Sequence, residues 1–130
     1  MKRSELKEYR TAIQHLVSGD QIELPREAHE TIHAVNPALL YGLRRYFLFG
    51  DRVGGFLTEI IENNFVGAVG RADLHNQDIL PQFGIYLANY PERAWWGSET
   101  TRIDWQEGNG LADRADSTDE LIDLFHRYNL

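Results

Sequence analysis

The sequence predicts an all-α protein: one compact domain over residues 1–130, built from six to eight short helices. Three observations carry that expectation. Apolar residues recur at three- and four-residue spacing along most of the chain, as one face of a helix requires. Serine, asparagine and proline stand where helices would open, and glycine or Tyr-Pro where they would close. No stretch alternates apolar and polar residues, so no strand is predicted.

Ser4 suits the cap of a first helix that buries Leu6, Tyr9, Ala12, Ile13, Leu16 and Val17, ended by Ser18-Gly19-Asp20. Pro25 belongs in a first helical turn and opens a second helix reaching about Val35. Asn36 caps a third, with Pro37 at its first position. Its run ALLYGLRRYFLF is apolar apart from Arg44 and Arg45, which makes this helix central, and Gly50 is its left-handed stop. GGFLTEIIENN, 54–64, reads as a helix burying Phe56, Leu57, Ile60 and Ile61. Asn64 caps a short helix to Asp73, and another runs over 76–89 with Pro81 in its first turns, stopped by Tyr90-Pro91. Ser98 caps a helix through Gln106, and the GNG at 108–110 is a flexible turn. Ser117 to Glu120 has capping-box spacing and opens a last helix carrying Leu121, Ile122, Leu124, Phe125 and Tyr128.

Composition narrows the function. There is no cysteine, which excludes a disulfide framework and thiolate metal ligands. The opening MKRSELKEYR has no apolar segment behind it, so it is not a signal peptide, and no apolar run is long enough for a bilayer. A cytoplasmic location is expected. Net charge is −7 and unevenly spread. Over 98–130, Glu99, Asp104, Glu107, Asp113, Asp116, Asp119, Glu120 and Asp123 face only Arg102, Arg114 and Arg127. That balance disfavours direct contact with nucleic-acid phosphates and suits docking on a basic partner, although a solvated surface that keeps the protein soluble is the simpler reading.

One segment carries a sharper chemistry. His29-Glu30-Thr31-Ile32-His33 matches H-E-x-x-H, in which two histidines four apart on a helix hold zinc and the glutamate activates its bound water. Ala28 and Ala34-Val35 around it resemble the thermolysin-like zinc peptidases, and Glu59 or Glu62 could supply a third ligand. Against this, Pro25 allows one turn before His29, Arg26 and Glu27 stand where apolar residues belong, and no strand is available to hold a peptide. We therefore expect a surface helix that buries Ala28, Ile32 and Val35 and turns His29 and His33 to water, with no metal and no cofactor.

Three further places are candidates. Gly54-Gly55 could bare its backbone to an anion, though close helix packing is the simpler reading. The G-x-x-G of VGAVGRAD has neither the sheet nor the basic surround of a KH domain. Arg71 and Asp73 fit an ion-pair and capping arrangement there, or with Asn76 a small polar site. In YPERAWWGS, one of Trp95 and Trp96 is expected in the core and the other exposed as a contact residue.

Pro37, Leu40, Leu43 and Tyr46, GGFL at 54–57, EN at 62–63, AVGRAD at 68–73, Asn76 and WGS at 96–98 together resemble a family of small phage- and prophage-borne proteins without an assigned activity. The resemblance covers about half of the chain and implies a mobile-element setting. The expected function is a small acidic non-enzymatic protein that binds a host or defence protein, possible targets including a nucleic-acid-binding complex that it inhibits. It would contact neither nucleic acid nor membrane itself. The alternatives are a zinc hydrolase using His29, Glu30 and His33, and a protein that sequesters a small ligand or nucleotide through Arg71, Asp73 and Asn76.

Overall fold

Asn36 and Pro37 start the helix around which everything else is arranged. The structure, a computed structural model, describes residues 3–18, 24 and 26–130, excluding the side chains of 3–5, 74 and 75. The order is α1 (Arg3–Ala12), α2 (Gln14–Ser18), α3 (Glu27–Val35), α4 (Pro37–Phe49), α5 (Gly55–Ile61), α6 (Phe65–Arg71), α7 (Leu74–Asp78) and α8 (Leu80–Asn89). A 3-10 turn (Arg93–Trp95), α9 (Glu99–Glu107), a second 3-10 turn (Gly110–Arg114) and α10 (Thr118–Arg127) complete it. The fold is all-α, with no strand among the described residues. Eight of the ten α-helices among the described residues have seven residues or more, so the additions to the expected set are the five-residue α2 and α7.

The local chemistry of α4 explains its bounds. The Asn36 side chain accepts from the Ala38 N–H at 3.0 Å, Pro37 begins the helix, and Gly50 ends it at φ +69°. Leu43, Tyr46, Phe47 and Leu48 have no exposed surface, so α4 is buried on several sides at once. It packs against α2, α3, α5 and the Gly110–Arg114 turn, while α3 lies between α4 and α8. Each of these side chains contributes about 1.5–3 kcal/mol by leaving water.

Two expected helices divide. The first is broken at Ile13, where the Leu16 N–H reaches back only to the Ile13 carbonyl, at 3.0 Å. The tightened turn keeps Ile13, Leu16 and Val17 all in the core, whereas Ala12 is exposed. Ser4 lies inside α1 and is not its cap; Gly19, Asp20 and Pro25 lie outside the described residues. The region 64–89 forms three helices instead of two. Asn64 caps α6 through the Gly67 N–H, and Asp73 then restarts the chain by accepting from the Asn76 N–H at 2.8 Å. Ser98 and Ser117 cap α9 and α10 as their spacing predicts. The Glu120 carboxylate folds back one residue further than a capping box requires, onto the Asp116 N–H.

The centre contains a charge. Arg44 is fully buried, its Nε donating to the Leu130 main-chain oxygen at 3.1 Å and its Nη1 to the Leu16 carbonyl at 2.9 Å. Tyr86 also donates to the Leu130 oxygen, at 3.2 Å. One guanidinium thus joins α2, α4 and the segment after α10. At the other end of α4 backbones meet closely: a Cβ on Gly50 would lie 2.8 Å from the Trp105 carbonyl, and one on Gly110 2.7 Å from the Gly50 nitrogen.

Candidate functional site

The HETIH segment forms α3, but its face is turned from the expected one. Ala28, His29 and Ile32 are buried, while Val35 is 40 % exposed. The expectation that His29 faces water is corrected: it has no exposed surface, because packing between α4 and α8 rotates this position inward. Its Nε2 lies 2.7 Å from the Asn129 carbonyl, and since a carbonyl only accepts, Nε2 carries the proton. The ring sits 4.9 Å from both the Tyr86 and Tyr90 rings. Glu30 is exposed, roughly 100° around the helix from His29. His33 is half-buried, with Nε2 enclosed and unpartnered. The glutamates considered as third ligands are engaged in α5 and just after it: Glu59 with Arg71 and Asn64, Glu62 with Arg102. Among the described residues no three His, Asp or Glu side chains gather as a metal-ligand set.

Burial, opposed by the Asn129 hydrogen bond, moves the His29 pKa from 6.5 down to about 4. The unfolded chain therefore takes up a proton near pH 6.5 that the folded protein resists until about pH 4. Stability from this residue is full above pH 6.5 and declines as pH falls toward 4, by about 3 kcal/mol. Urea midpoints measured across this range should fall for the wild type, and His29→Phe should flatten the slope while lowering the plateau.

The tryptophan loop also departs from expectation. Neither indole is exposed: Trp95 is 2 % and Trp96 8 % accessible. Trp95 stacks on Trp105 with centroids 5.0 Å apart, and its carbonyl accepts from the Tyr46 hydroxyl at 2.8 Å. Trp96 is covered by the Arg93 guanidinium, 4.3 Å above its ring and hydrogen-bonded to its carbonyl. Arg93 and Glu92, both exposed, form the outer surface of this loop. The tryptophans hold that surface in place and do not compose it.

Arg71, Asp73 and Asn76 do not converge as three side chains. Arg71 pairs with Glu59 at 3.3 Å and lies against Gly55, while Asp73 caps α7 through the Asn76 backbone. The ion pair and the cap are separate devices in α6 and α7.

The C-terminal acids are largely presented to solvent. Glu99, Asp104, Glu107, Asp113, Asp116, Asp119 and Asp123 are exposed, and Glu120 is half-buried. Asp104 of α9 and Asp113 of the Gly110–Arg114 turn line one cleft of about 300 Å³, together with Thr101 and Arg114. Two of the region's three arginines have described partners, and the third, Arg127, is exposed. Arg102 donates to Glu62 at 2.6 Å and Gln106 at 2.8 Å, and Arg114 sits 5.0 Å from the Trp105 ring.

Sequence reasoning left Arg44 and Arg45 without roles. Two arginines inside an apolar helix were the available signal, because a buried guanidinium needs carbonyls or an anion around it. No helix among the described residues is long and apolar enough to cross a membrane. No family model matches the chain, and no curated protein or solved structure does either.

Proposed function

We propose that the chain is a non-enzymatic binding protein that docks on a basic surface of a partner protein through the carboxylates of α9, the Gly110–Arg114 turn and α10. One observation supports this most. Arg102 is drawn inward by Glu62 and Gln106, and the carboxylates outnumber the two exposed arginines, Arg114 beside the Trp105 ring and Arg127. Glu99, Asp104, Glu107, Asp116, Asp119 and Asp123 remain exposed with no described ion pair. A surface of one sign speeds association with an oppositely charged partner and selects against like-charged ones.

The resemblance of 37–98 to phage-borne proteins supports a host-cell setting, in which the partner is a host or defence protein. A partner surface that otherwise takes phosphate would be occupied by these carboxylates, which makes the chain an inhibitor. No nucleic acid, metal or cofactor enters this reading. The test compares wild type with Asp104→Lys/Glu107→Lys/Asp123→Lys, each immobilised and exposed to host extract. These exposed substitutions should change stability by no more than roughly 0.5 kcal/mol each. The wild type should retain a basic partner that elutes as salt rises, and the variant should retain none. Equal retention by the variant, or none by the wild type, contradicts the proposal.

A further inference from the structure

Arg45 has no structural role like that of its neighbour Arg44. It is half-buried, its guanidinium stands 4.6 Å over the Tyr41 ring, and its Nε is enclosed without a hydrogen-bond partner. No carboxylate among the described residues pairs with it. It borders a groove of about 290 Å³ between α4 and the start of α5, whose apolar lining includes Leu39, Val53, Phe56 and Leu57. That size is at the lower end of the ~300–1,000 Å³ found for small-molecule sites.

Two glycines on the groove are explained by packing and one is not. A Cβ on Gly42 would lie 2.6 Å from Leu57 Cδ1, so the approach of α4 to α5 requires glycine there. On Gly55 a Cβ would come 2.8 Å from Arg71 Nη1. Gly54 has φ −66°, which any residue adopts, and a Cβ there would meet nothing within 4 Å. Neither φ nor packing requires glycine at 54, where it is the N-cap of α5 and leaves a bare backbone on the groove lining. Arg71, 59 % exposed, bonds Glu59 through Nε and lies near Gly55 from outside the groove lining.

We propose that this groove binds a small amphipathic monoanion, an apolar body ending in a carboxylate. The body packs on Leu39, Val53, Phe56 and Leu57, and the carboxylate is held by the planar guanidinium of Arg45. A carboxylate matches the guanidinium fork, and a single charge matches the one guanidinium on the lining. The site is independent of the acidic surface, so either reading can fail alone.

The test is a titration of isotope-labelled protein with octanoate, octanol and acetate, read from the Gly54 and Gly55 amide resonances. Octanoate should produce saturable shifts at both glycines, with octanol and acetate each about tenfold weaker or more. Arg45→Gln should weaken octanoate by about tenfold. Gly54→Leu should obstruct the groove and weaken binding, and because leucine is a poorer N-cap than glycine, its thermal unfolding is measured alongside to separate loss of the site from loss of the fold. Octanol binding as tightly as octanoate, an unaffected Arg45→Gln, undiminished binding by Gly54→Leu, or no saturable shift would each overturn the proposal.

Discussion

Arg44→Met is expected to lower folding stability by about 3 kcal/mol, read as a drop in the urea midpoint. Methionine keeps an apolar stem of similar length and removes every donor. The Leu16 and Leu130 main-chain oxygens would lose the Arg44 hydrogen bonds of 2.9 and 3.1 Å that now satisfy them. Leu130 retains the Tyr86 hydroxyl at 3.2 Å, so the larger loss falls on α2. Burial opposes the charged form and lowers the Arg44 pKa from its ordinary value, which is the cost the hydrogen bonds must exceed. Arg44→Lys should recover only part of the loss, because an ammonium cannot reproduce the fork that reaches two separate segments. A methionine variant as stable as the wild type would mean that desolvation cancels those bonds, and that Arg44 does not hold α2 and Leu130 to α4.

Gly110→Ala should destabilise by roughly 2–5 kcal/mol, combining a left-handed backbone with a steric conflict. Gly110 has φ +60°, and a Cβ would come 2.7 Å from the Gly50 nitrogen and 2.9 Å from the Phe47 carbonyl. Neither contact is a flexible side chain that could swing away. Gly50→Ala should behave similarly, since it has φ +69° and the Trp105 carbonyl would lie 2.8 Å from its Cβ. Gly54→Ala is the internal control, with an expected change of no more than roughly 1 kcal/mol from the poorer N-cap. Thermal unfolding of the three variants side by side tests whether the end of α4 is fixed by backbone contact with α9 and the turn after it.

The parts of this fold that were legible in the sequence are those decided by neighbouring residues. Asn36, Pro37 and Gly50 bound α4 through a side-chain cap, a fixed φ and a left-handed stop, all of which act within a turn of their own position. Ser98 and Ser117 behave likewise. The short α7 was concealed because Asp73 can end one helix or cap the next, and spacing alone does not choose. His29 was misplaced for a different reason. Ala28 and Ile32 define an inward face whichever of His29 or Val35 completes it, and the choice is made by the rotation α3 takes between α4 and α8.

Arg44 and Arg45 make the limit plain. They are adjacent, identical and embedded in the same apolar run, yet one is fully buried on main-chain oxygens and the other borders a groove. Only the position of the chain end and of α5 separates them. Trp96 shows the converse: its burial depends on Arg93 closing over it, a contact between residues three apart that no apolar pattern reveals. The acidic character of 98–130 was visible from composition, whereas the inward engagement of Arg102 and the contact of Arg114 with an indole needed Glu62 and Trp105 in place.

The most direct test of the proposed function is the dissociation constant of the retained partner, measured across ionic strength for wild type and for Asp104→Lys/Glu107→Lys/Asp123→Lys. Docking through exposed carboxylates predicts that wild-type affinity weakens by roughly tenfold or more between about 0.05 and 0.2 M salt, as screening shortens the reach of the charges. The charge-reversed protein should bind too weakly to measure at either salt. An affinity indifferent to salt, or preserved when the three carboxylates are reversed, would contradict a binding surface made of α9, the Gly110–Arg114 turn and α10.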